Sequence, residues 1–473
     1  MNELNGSGAQ REEWSGRFAF VMAAVGSAIG LGNVWRFPWL VAQNGGAAFV
    51  FVYLALLVFI GYPILLAELT VGRAAKRAPH VALSTVSGKP FWNIVGYLGI
   101  IAGGIFVLSY YNVVGGWTIK YMLLSVSGLI DQANAGNAGS LFGEFVEAKH
   151  QQVGFMLLFM AVVMFYIARG VKSLEWANKW MMGTLFALVL VLVFRSLTLD
   201  NREGVMAGIN YYLNPDFSKV TFRTCLSALG QVFFSLSLGL GAMLIYGSYV
   251  KKEENIPNAA AWTAGLDTGV SLLAGLIIFP AVFALMGEGA GAAATKAGPG
   301  LTFIVLPEVF AKMPMANEIF SFLFFLLLFC GAATSAMSLM EVAAGFASEK
   351  FGIKRRDAVY LMGTIIVLLG GYSAISLSGD PKVYAPWAGK MVDFFDFMDE
   401  LCNNVVMPLG SMLLCLFVGW VWCDPALKEI TNDGKIANPN NMGFVIWVWV
   451  LRIFAPVAIA IIGLTGLGVI KIG

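Results

Sequence analysis

Residues 26–33 read Gly-Ser-Ala-Ile-Gly-Leu-Gly-Asn and lie in the middle of an apolar stretch, 16–41, that is long enough to cross a bilayer. A second run, Ser-Leu-Ser-Leu-Gly-Leu-Gly at 235–241, lies in the middle of another such stretch, 222–250. Because a glycine costs roughly 1 kcal/mol relative to alanine inside a helix, two such clusters predict two membrane helices that unwind at mid-span. The freed amides and carbonyls need partners in hydrocarbon, and we expect substrate and ions to be those partners.

A single Gly-x-Gly motif is also typical of helices that pack closely through small residues. The pairing of the two motifs favours unwinding instead. Spans one to five and six to ten would each begin with an interrupted helix, as an inverted repeat requires.

The composition of the whole chain agrees with a membrane protein. Of its 473 residues 58% are hydrophobic and 12% are charged, against roughly 25% charged in average soluble domains. A net charge of +2 excludes a nucleic-acid binder held by phosphate contacts, and two histidines leave little room for a histidine-based metal site. The five cysteines form no Cys-x-x-Cys motif and are interpreted as small buried hydrophobic residues.

The apolar stretches predict an all-α polytopic membrane protein with about eleven spans. We number them 1 to 11: 16–41, 46–72, 93–125, 152–168, 176–198, 222–250, 257–287, 317–349, 357–377, 391–422 and 443–470. Residues 1–15 are polar and carry no cleavable leader pattern. The predicted organisation is a cytoplasmic N-terminal segment at 1–15, a first repeat at 16–198 (spans 1–5), a second repeat at 222–422 (spans 6–10), and span 11 at 443–470.

Positive charges predict the orientation. With the N-terminus inside, about 17 of the 30 lysines and arginines fall on the cytoplasmic side and about 11 outside. Arg36 and Arg452 lie within spans, and no role is assigned to Arg452. We therefore expect a multi-pass protein of the inner (cytoplasmic) membrane, as a monomer or weak dimer, with its N-terminus in the cytoplasm.

The runs GSAIGLGNVWRFPWLVAQNGGAAF (26–49) and GQVFFSLSLGLGAMLIYGSYV (230–250), with the Thr334-Ser335 pair in span 8, resemble the neurotransmitter:sodium symporter family. The likeness is to its bacterial eleven-span amino-acid transporters, and it implies a leucine-transporter-type 5+5 inverted repeat with unwound helices 1 and 6. The usual twelfth helix of the family has no counterpart here.

The resemblance implies two sodium sites, and sodium prefers hard oxygen ligands, as calcium does. The first would use the Ala28 carbonyl, the side chains of Asn33, Ser235 and Asp267, and the substrate carboxylate. The second would use the carbonyls of Gly26, Ile29 and Gly331 and the hydroxyls of Thr334 and Ser335. Taken singly, each hydroxyl is also typical of a helix residue that bonds back to its own carbonyls.

Asp267 departs from the chloride-dependent members of the family, which resemble this chain but have asparagine at that position. Tyr53, Gln231, Ser235 and Ser271 still match the positions that line the chloride site. An intramembrane carboxylate is costly and indicates function, so we predict that Asp267 supplies the anion's charge and that no chloride is needed. Its pairing with a cation for stability is the weaker alternative, since span 7 has no lysine or arginine near it.

The resemblance also implies the substrate contacts. The amides of Leu31 and Gly32 and the Tyr111 hydroxyl would hold a carboxylate at the positive end of a half-helix. The ammonium group would be held by the carbonyls of Ala28, Phe234 and Ser235 and by the Ser237 side chain. Monoamine carriers have an acidic residue at the position of Gly30, so an α-amino acid is favoured over an amine.

The implied side-chain pocket is apolar or small throughout: Val107, Phe234, Leu240, Ser335 and Leu339, with Ser27, Gly103 and Gly104 nearby. A charged substrate side chain would be buried there without a partner, which costs several kcal/mol. We therefore expect hydrophobic substrates, and the two glycines predict room for an aromatic ring.

Charged and aromatic residues at both ends of the pathway are expected to act as gates. Outside, Arg36 would pair with Asp399, or with Asp396 one turn away. Inside, Arg11 would pair with Glu349, with Trp14 and Tyr249 covering the closed pathway. Surface ion pairs contribute only about 0–1 kcal/mol, which suits gates that open in every cycle.

Enzymatic activity is not expected, because the only histidines, His80 and His150, are predicted in loops and no protease motif is present. The alternatives that stay open are a sodium-coupled carrier of another small zwitterion, such as a betaine or ω-amino acid, and a non-transporting amino-acid sensor on the same fold.

Overall fold

The computed structural model describes residues 12–287, 289, 300–379, 384–387, 390–436, 438–439 and 441–466. Within that part of the chain, nine helices are long and apolar enough to cross a bilayer, and one bent pair of helices adds a tenth span. The nine are Ala47–Ala75, Pro90–Ser125, Lys149–Ile167, Val171–Leu197, Ile256–Met286, Asn317–Phe351, Arg355–Ser376, Phe394–Val421 and Met442–Thr465.

These ten helices match ten of the predicted apolar stretches. Span 6 is the remaining one, and it consists of two shorter helices, Phe222–Ser235 and Ala242–Gly247. The all-α polytopic architecture is therefore as predicted, and the count of eleven spans stays a prediction.

Spans 1 and 6 are both interrupted where the glycine runs lie. Span 1 comprises Arg17–Ala28 and Gly32–Gln43, whose axes differ by 48°. In span 6 the break contains Gly239 and Gly241 at φ angles of +74° and +75°, a conformation that glycine adopts at little cost. A Cβ atom at residue 239 would also lie 2.5 Å from the Met407 carbonyl oxygen, so glycine is required there on two grounds.

In the part of the chain that the structure describes, seven helical segments have π-helical hydrogen bonding, which usually occurs as short bulges near functional sites: Gly32–Arg36, Leu57–Gly61, Ile100–Val107, Leu301–Val305, Cys402–Val406, Phe417–Val421 and Val450–Phe454. Two of these segments contact each other through Arg452: it lies in Val450–Phe454, and its partners lie in Phe417–Val421. Its Nε donates to the Gly419 carbonyl at 2.7 Å, and its guanidinium lies 5.1 Å from the Trp420 ring centre. Arg452 thus joins spans 10 and 11 through a hydrogen bond and a cation–π contact.

Shorter elements connect the spans. The helices are Pro79–Ser87, Leu129–Asn134, Ala138–Glu147, Arg202–Leu213, Leu306–Ala311 and Cys423–Thr431, with single 3-10 turns at Pro90–Trp92 and Phe217–Lys219. Strands Tyr384–Trp387 and Lys390–Asp393 form an antiparallel hairpin. Both histidines lie in helices: His80 is buried in Pro79–Ser87, and His150 lies in the first turn of Lys149–Ile167. The prediction of loops at these positions was wrong.

Span 8, Asn317–Phe351, lies at the centre of the molecule. In an apolar 18-residue stretch of span 8, 67% of the residues are buried, whereas in the corresponding stretch of span 4, Lys149–Ile167, 33% are buried. Span 8 packs against spans 1, 3, 4, 5 and 9. This position brings its small and hydroxylated residues against the break in span 1, where the predicted sites lie.

Candidate ion and substrate site

The three side chains predicted for the first sodium site form one buried polar cluster together with Ser271. The amide nitrogen of Asn33 lies 2.7 Å from Asp267 Oδ1 and 2.8 Å from Ser271 Oγ. The Ser235 hydroxyl donates to the other Asp267 oxygen at 2.7 Å. All four side chains are fully buried. The break in span 1, the end of the first half of span 6 and the middle of span 7 therefore converge on one carboxylate.

Of the four positions that match the family's chloride site, Ser235 and Ser271 belong to this cluster, and Tyr53 lies beside it. The Tyr53 hydroxyl lies 3.5 Å from Ser235 Oγ, and Gln231 Nε2 donates to the Gly32 carbonyl at 2.8 Å. Among the described residues, no lysine or arginine nitrogen lies within the 4.0 Å ion-pair distance of Asp267. Asp267 therefore accepts hydrogen bonds from neutral side chains and forms no ion pair with a described residue. The alternative that Asp267 pairs with a cation for stability is not supported.

The residues predicted for the second sodium site meet where span 8 crosses span 1. Ser335 Oγ lies 3.2 Å from the Ile29 carbonyl oxygen and 3.5 Å from that of Gly26. Thr334 Oγ1 lies 3.1 Å from the Gly331 carbonyl oxygen and 3.0 Å from that of Cys330, both in its own helix. Ser335 thus faces the break in span 1, while the Thr334 hydroxyl also makes the back-bond expected of an ordinary helical threonine.

One small cavity lies between these two clusters. Nine of the eleven predicted substrate-binding residues line it, together with Gly30: Ala28, Gly32, Val107, Tyr111, Phe234, Ser237, Leu240, Ser335 and Leu339. Its volume is about 20 Å³, little more than a single water occupies. A bound amino acid therefore requires the lining side chains to move apart.

The polar wall of the cavity is the break in span 1. The Leu31 amide, one of the two predicted substrate residues outside the cavity lining, donates to the Tyr111 hydroxyl oxygen at 3.1 Å. Ser235, the other, turns its hydroxyl toward Asp267. The Ser237 hydroxyl donates to the Ser27 carbonyl at 3.0 Å. An amide, two hydroxyls and a backbone carbonyl thus lie close together beside the cavity.

Gly103 and Gly104 do not leave room for a substrate ring. A Cβ atom at residue 103 would lie 2.3 Å from the Leu240 carbonyl oxygen, and one at residue 104 would lie 3.1 Å from the Ala343 amide nitrogen. These glycines let span 3 pack closely against spans 6 and 8. The argument from them for aromatic substrates was therefore wrong.

Comparison with known proteins identifies the family. A model of the sodium:neurotransmitter symporter family matches residues 11–138 and 137–468. The chain belongs to this family. The sodium-dependent transporter YhdH of Bacillus subtilis (strain 168) is 36% identical over 461 residues, which cover 97% of this chain and 98% of that protein. A sodium-dependent transporter of Haemophilus influenzae is 34% identical over 471 residues, covering 97% and 98%.

Solved structures agree. The crystal structure of MhsT in complex with L-phenylalanine matches with a TM-score of 0.86 and 38% identity, over 96% of this chain and all (100%) of that chain. The leucine-transporter-type fold predicted from the sequence is therefore confirmed. This symporter-family chain is a sodium-dependent, multi-pass membrane transporter and not an enzyme.

A more distant relative is the sodium- and chloride-dependent taurine transporter of Canis lupus familiaris. It is 29% identical over 485 residues, which cover 91% of this chain and 75% of that protein. Proteins similar to this chain therefore include one that depends on chloride. This raises the question of whether Asp267 replaces chloride in this chain.

Beside the cavity, Arg36, which is predicted to act as the external gate, has no ion-pair partner among the described residues. Its guanidinium is 4.7 Å from the centre of the Phe234 ring, and its Nη1 is buried without a hydrogen-bond partner among the described residues. Asp399 accepts instead from Asn403 Nδ2 at 2.7 Å. The predicted pair of Arg36 with Asp399 is thus not formed in this conformation, and its formation elsewhere in the cycle stays a prediction.

The aromatic residues predicted for the cytoplasmic gate pack against one another. Trp14 is 2% exposed, its Nε1 donates to the Tyr246 carbonyl at 3.1 Å, and its ring packs edge-on against Tyr249 at 5.8 Å. Trp14 and Tyr249 are therefore in contact, and their role in covering the pathway stays a prediction.

The predicted ionic gate is described only in part. Glu349 forms an ion pair with Arg77 and accepts from the Ala78 amide at 2.8 Å. Arg11, its predicted partner, lies outside the described residues. The pairing of Arg11 with Glu349 stays a prediction.

Two buried carboxylates near the breaks and the aromatic cluster were not predicted as functional residues from the sequence. Glu68 of span 2 accepts from the Gly239 amide at 2.7 Å and so supports the break in span 6. Glu341 of span 8 accepts from the Tyr249 hydroxyl at 2.6 Å and from Arg355 Nη1 at 2.9 Å. Each lies within an apolar stretch, and an intramembrane carboxylate is itself a signal of function that could have identified both.

Proposed function

We propose that this sodium-dependent transporter imports hydrophobic α-amino acids, together with two sodium ions and without chloride. The observation that carries the proposal is the lining of the central cavity. Tyr111, whose hydroxyl accepts from the Leu31 amide, lines one side, the other side is apolar, and no lining residue is charged.

The polar wall fits a carboxylate. The second half of span 1 begins at Gly32, so its amides and the positive end of its dipole point toward the cavity. The Leu31 amide and the Tyr111 hydroxyl, which contact each other at 3.1 Å, would separate to bind the two carboxylate oxygens. A side chain at residue 30 would obstruct the proposed carboxylate position, because its Cβ atom would lie 2.5 Å from Ser335 Oγ and 2.7 Å from the Tyr111 hydroxyl oxygen.

The apolar wall fits a hydrophobic side chain. Val107, Leu240 and Leu339 are 2–4% exposed and lie on three different spans around the cavity. An unpaired charge buried among them would cost several kcal/mol, which disfavours acidic and basic amino acids. The MhsT structure contains L-phenylalanine, which supports a substrate range that extends to aromatic side chains.

Two ion sites of different charge would couple sodium to this substrate. In the first, sodium would contact Asn33, the Ala28 carbonyl, Asp267 and the substrate carboxylate, so that ion and substrate stabilise each other. In the second, sodium would contact the carbonyls of the span 1 break and the Ser335 and Thr334 hydroxyls. The Asp267 carboxylate, clustered with residues that match a chloride site, would supply the negative charge that chloride supplies elsewhere.

Alternating access would follow from the same contacts. Sodium would first order the breaks in spans 1 and 6. Substrate would then close the external side beneath Phe234 and Arg36, and release of the Trp14 and Tyr249 contacts would open the cytoplasmic side.

Sodium-driven uptake into proteoliposomes tests the proposal. Labelled leucine and tryptophan should accumulate only with an inward sodium gradient, and excess phenylalanine should compete. Tryptamine and isoamylamine, which lack only the carboxylate of tryptophan and leucine, should not compete. Preferred uptake of a betaine or an ω-amino acid would contradict the proposal in favour of another zwitterion carrier.

The same preparation separates transport from sensing. Saturable leucine binding without accumulation above the external concentration would indicate a sensor. A Tyr111→Phe variant is the matched control for the carboxylate contact, since it keeps the ring and removes only the hydroxyl. It should bind leucine about tenfold more weakly, because hydrogen bonds to charged groups contribute roughly 1.5–3 kcal/mol.

A further inference from the structure

Two arginines that play no part in the central site face one groove at the cytoplasmic ends of spans 4 and 9. The groove encloses about 490 Å³. Arginines lie at its mouth and apolar residues along its length: Ala161, Met164, Phe165, Arg169, Arg356 and Tyr360.

The neighbouring Arg355 explains why the two arginines come together. Its Nε donates to the Ile167 carbonyl at 2.7 Å, which ties the start of span 9 to the end of span 4. Arg355 points inward to Glu341. Arg356, about 100° further around the helix, lines the outer groove beside Arg169.

Neither groove arginine forms an ion pair with a described residue. In the described part of the chain, no carboxylate oxygen lies within 4.0 Å of Arg169 or Arg356. Both are exposed and contact aromatic rings instead: the Arg169 guanidinium is 3.4 Å from the Phe165 ring centre, and that of Arg356 is 5.6 Å from the Tyr360 ring centre. Asp357 follows Arg356 directly and does not line the groove. The groove mouth therefore carries two cationic groups with open hydrogen-bond donors.

Exposed aromatic residues place this level at the membrane–water interface. Trp176 and Trp180, in the first turns of span 5, are 55% and 60% exposed, and Trp176 stacks on Tyr166 at 6.1 Å. Tryptophan and tyrosine concentrate at that level of a bilayer. The groove thus begins among lipid headgroups and continues along span 4 beside Phe165, Met164 and Ala161, toward the hydrocarbon.

We propose that this groove binds an anionic phospholipid, with its phosphate between Arg169 and Arg356 and an acyl chain along Ala161 and Met164. Guanidinium groups bind phosphate oxygens bidentately, and basic pockets between helices on the cytoplasmic side suit anionic headgroups. A zwitterionic lipid brings its own cation, which two unneutralised arginines disfavour. Charge complementarity therefore selects phosphatidylglycerol over phosphatidylcholine.

Native mass spectrometry of the purified full-length protein tests the proposal by titration with phosphatidylglycerol or phosphatidylcholine. Wild-type protein should retain phosphatidylglycerol preferentially. The Arg169→Gln/Arg356→Gln variant should retain it about thirtyfold more weakly, since each cationic side chain near a membrane surface contributes roughly fivefold. Lys172→Gln/Lys179→Gln is the matched control, because it removes two exposed cations from span 5 outside the groove, and it should bind as wild type does.

An Ala161→Trp variant, which keeps both arginines and fills the apolar end, should also weaken phosphatidylglycerol retention. Inorganic phosphate at millimolar concentration should not displace the lipid. Equal retention of the two lipids, equal loss in the lysine control, or displacement by phosphate would each overturn the proposal. Leucine binding by every variant checks that it is folded.

Discussion

The two proposed ion sites are built from residues of different charge. The first contains a buried carboxylate, Asp267, within 2.7 Å of both Asn33 and Ser235. The second has only neutral oxygens, with Ser335 within 3.5 Å of two carbonyls of span 1. We therefore expect the two sites to perform different tasks: the first would balance the charge of ion and substrate, and the second would fix the position of span 1 against span 8.

This difference indicates where each perturbation should act. Changes at the first site should alter substrate and anion dependence together, because Asp267 and the proposed carboxylate position share Asn33 and the span 1 break. Changes at the second should alter sodium dependence alone. The predictions below test that division.

Asp267→Ala should have the largest effect. It removes a buried ligand and leaves Asn33 and Ser235 without their acceptor, and we expect leucine uptake to fall about a hundredfold or more, since losing a partner of charged hydrogen bonds costs roughly 3 kcal/mol or more. Initial uptake rates in proteoliposomes measure the effect. Uptake within twofold of wild type would show that Asp267 is no ion ligand.

Gly30→Ala should follow. Its Cβ atom would lie 2.5 Å from Ser335 Oγ and 2.7 Å from the Tyr111 hydroxyl oxygen, so one change disturbs the second ion site and the carboxylate position together. Overpacking of this kind costs about 1–3 kcal/mol, and we expect leucine affinity to fall roughly tenfold. Equilibrium binding of labelled leucine checks this, with Gly230→Ala as the control, because a Cβ atom at residue 230 meets nothing within 4 Å.

Ser335→Ala should raise the sodium concentration needed for half-maximal uptake by about tenfold, because one hydroxyl ligand that faces the span 1 carbonyls is lost. The maximal rate at saturating sodium should change less. A shift in leucine affinity with unchanged sodium dependence would instead assign Ser335 to the substrate alone.

Thr334→Ala should have the smallest effect, roughly threefold in sodium dependence, since its hydroxyl also bonds back to Cys330 and Gly331 in its own helix. Sodium titrations of uptake for the two variants side by side measure the difference. A larger effect at Thr334 than at Ser335 would contradict this account of the second site.

The sequence was most informative where the chemistry is local. The glycine runs at 26–33 and 235–241 predicted both breaks without any long-range information, and the apolar stretches predicted the spans to within a few residues. The cavity residues were predicted mainly from the family resemblance, because periodicity alone does not show which residues of different spans face each other.

Contacts between distant parts of the chain were the ones missed. Glu68 reaches Gly239 across 171 residues, and Arg452 reaches the Gly419 carbonyl in a π-helical segment; no local pattern specifies either partner. At Gly103 room for a substrate ring was predicted where the structure has a contact with the backbone of Leu240. The sequence does not distinguish a glycine that faces a ligand from one that faces a neighbouring backbone. Only the packing distinguishes the two cases.

The most direct test of the central claim is the chloride dependence of sodium-driven leucine uptake. Wild-type protein and the isosteric Asp267→Asn variant are compared in sodium chloride and in sodium gluconate at equal sodium. The account predicts equal wild-type rates in the two salts, and a variant that is inactive in gluconate and partly restored by chloride. A wild-type protein that requires chloride, or an Asp267→Asn variant that transports fully without it, would contradict the claim that this carboxylate replaces the anion.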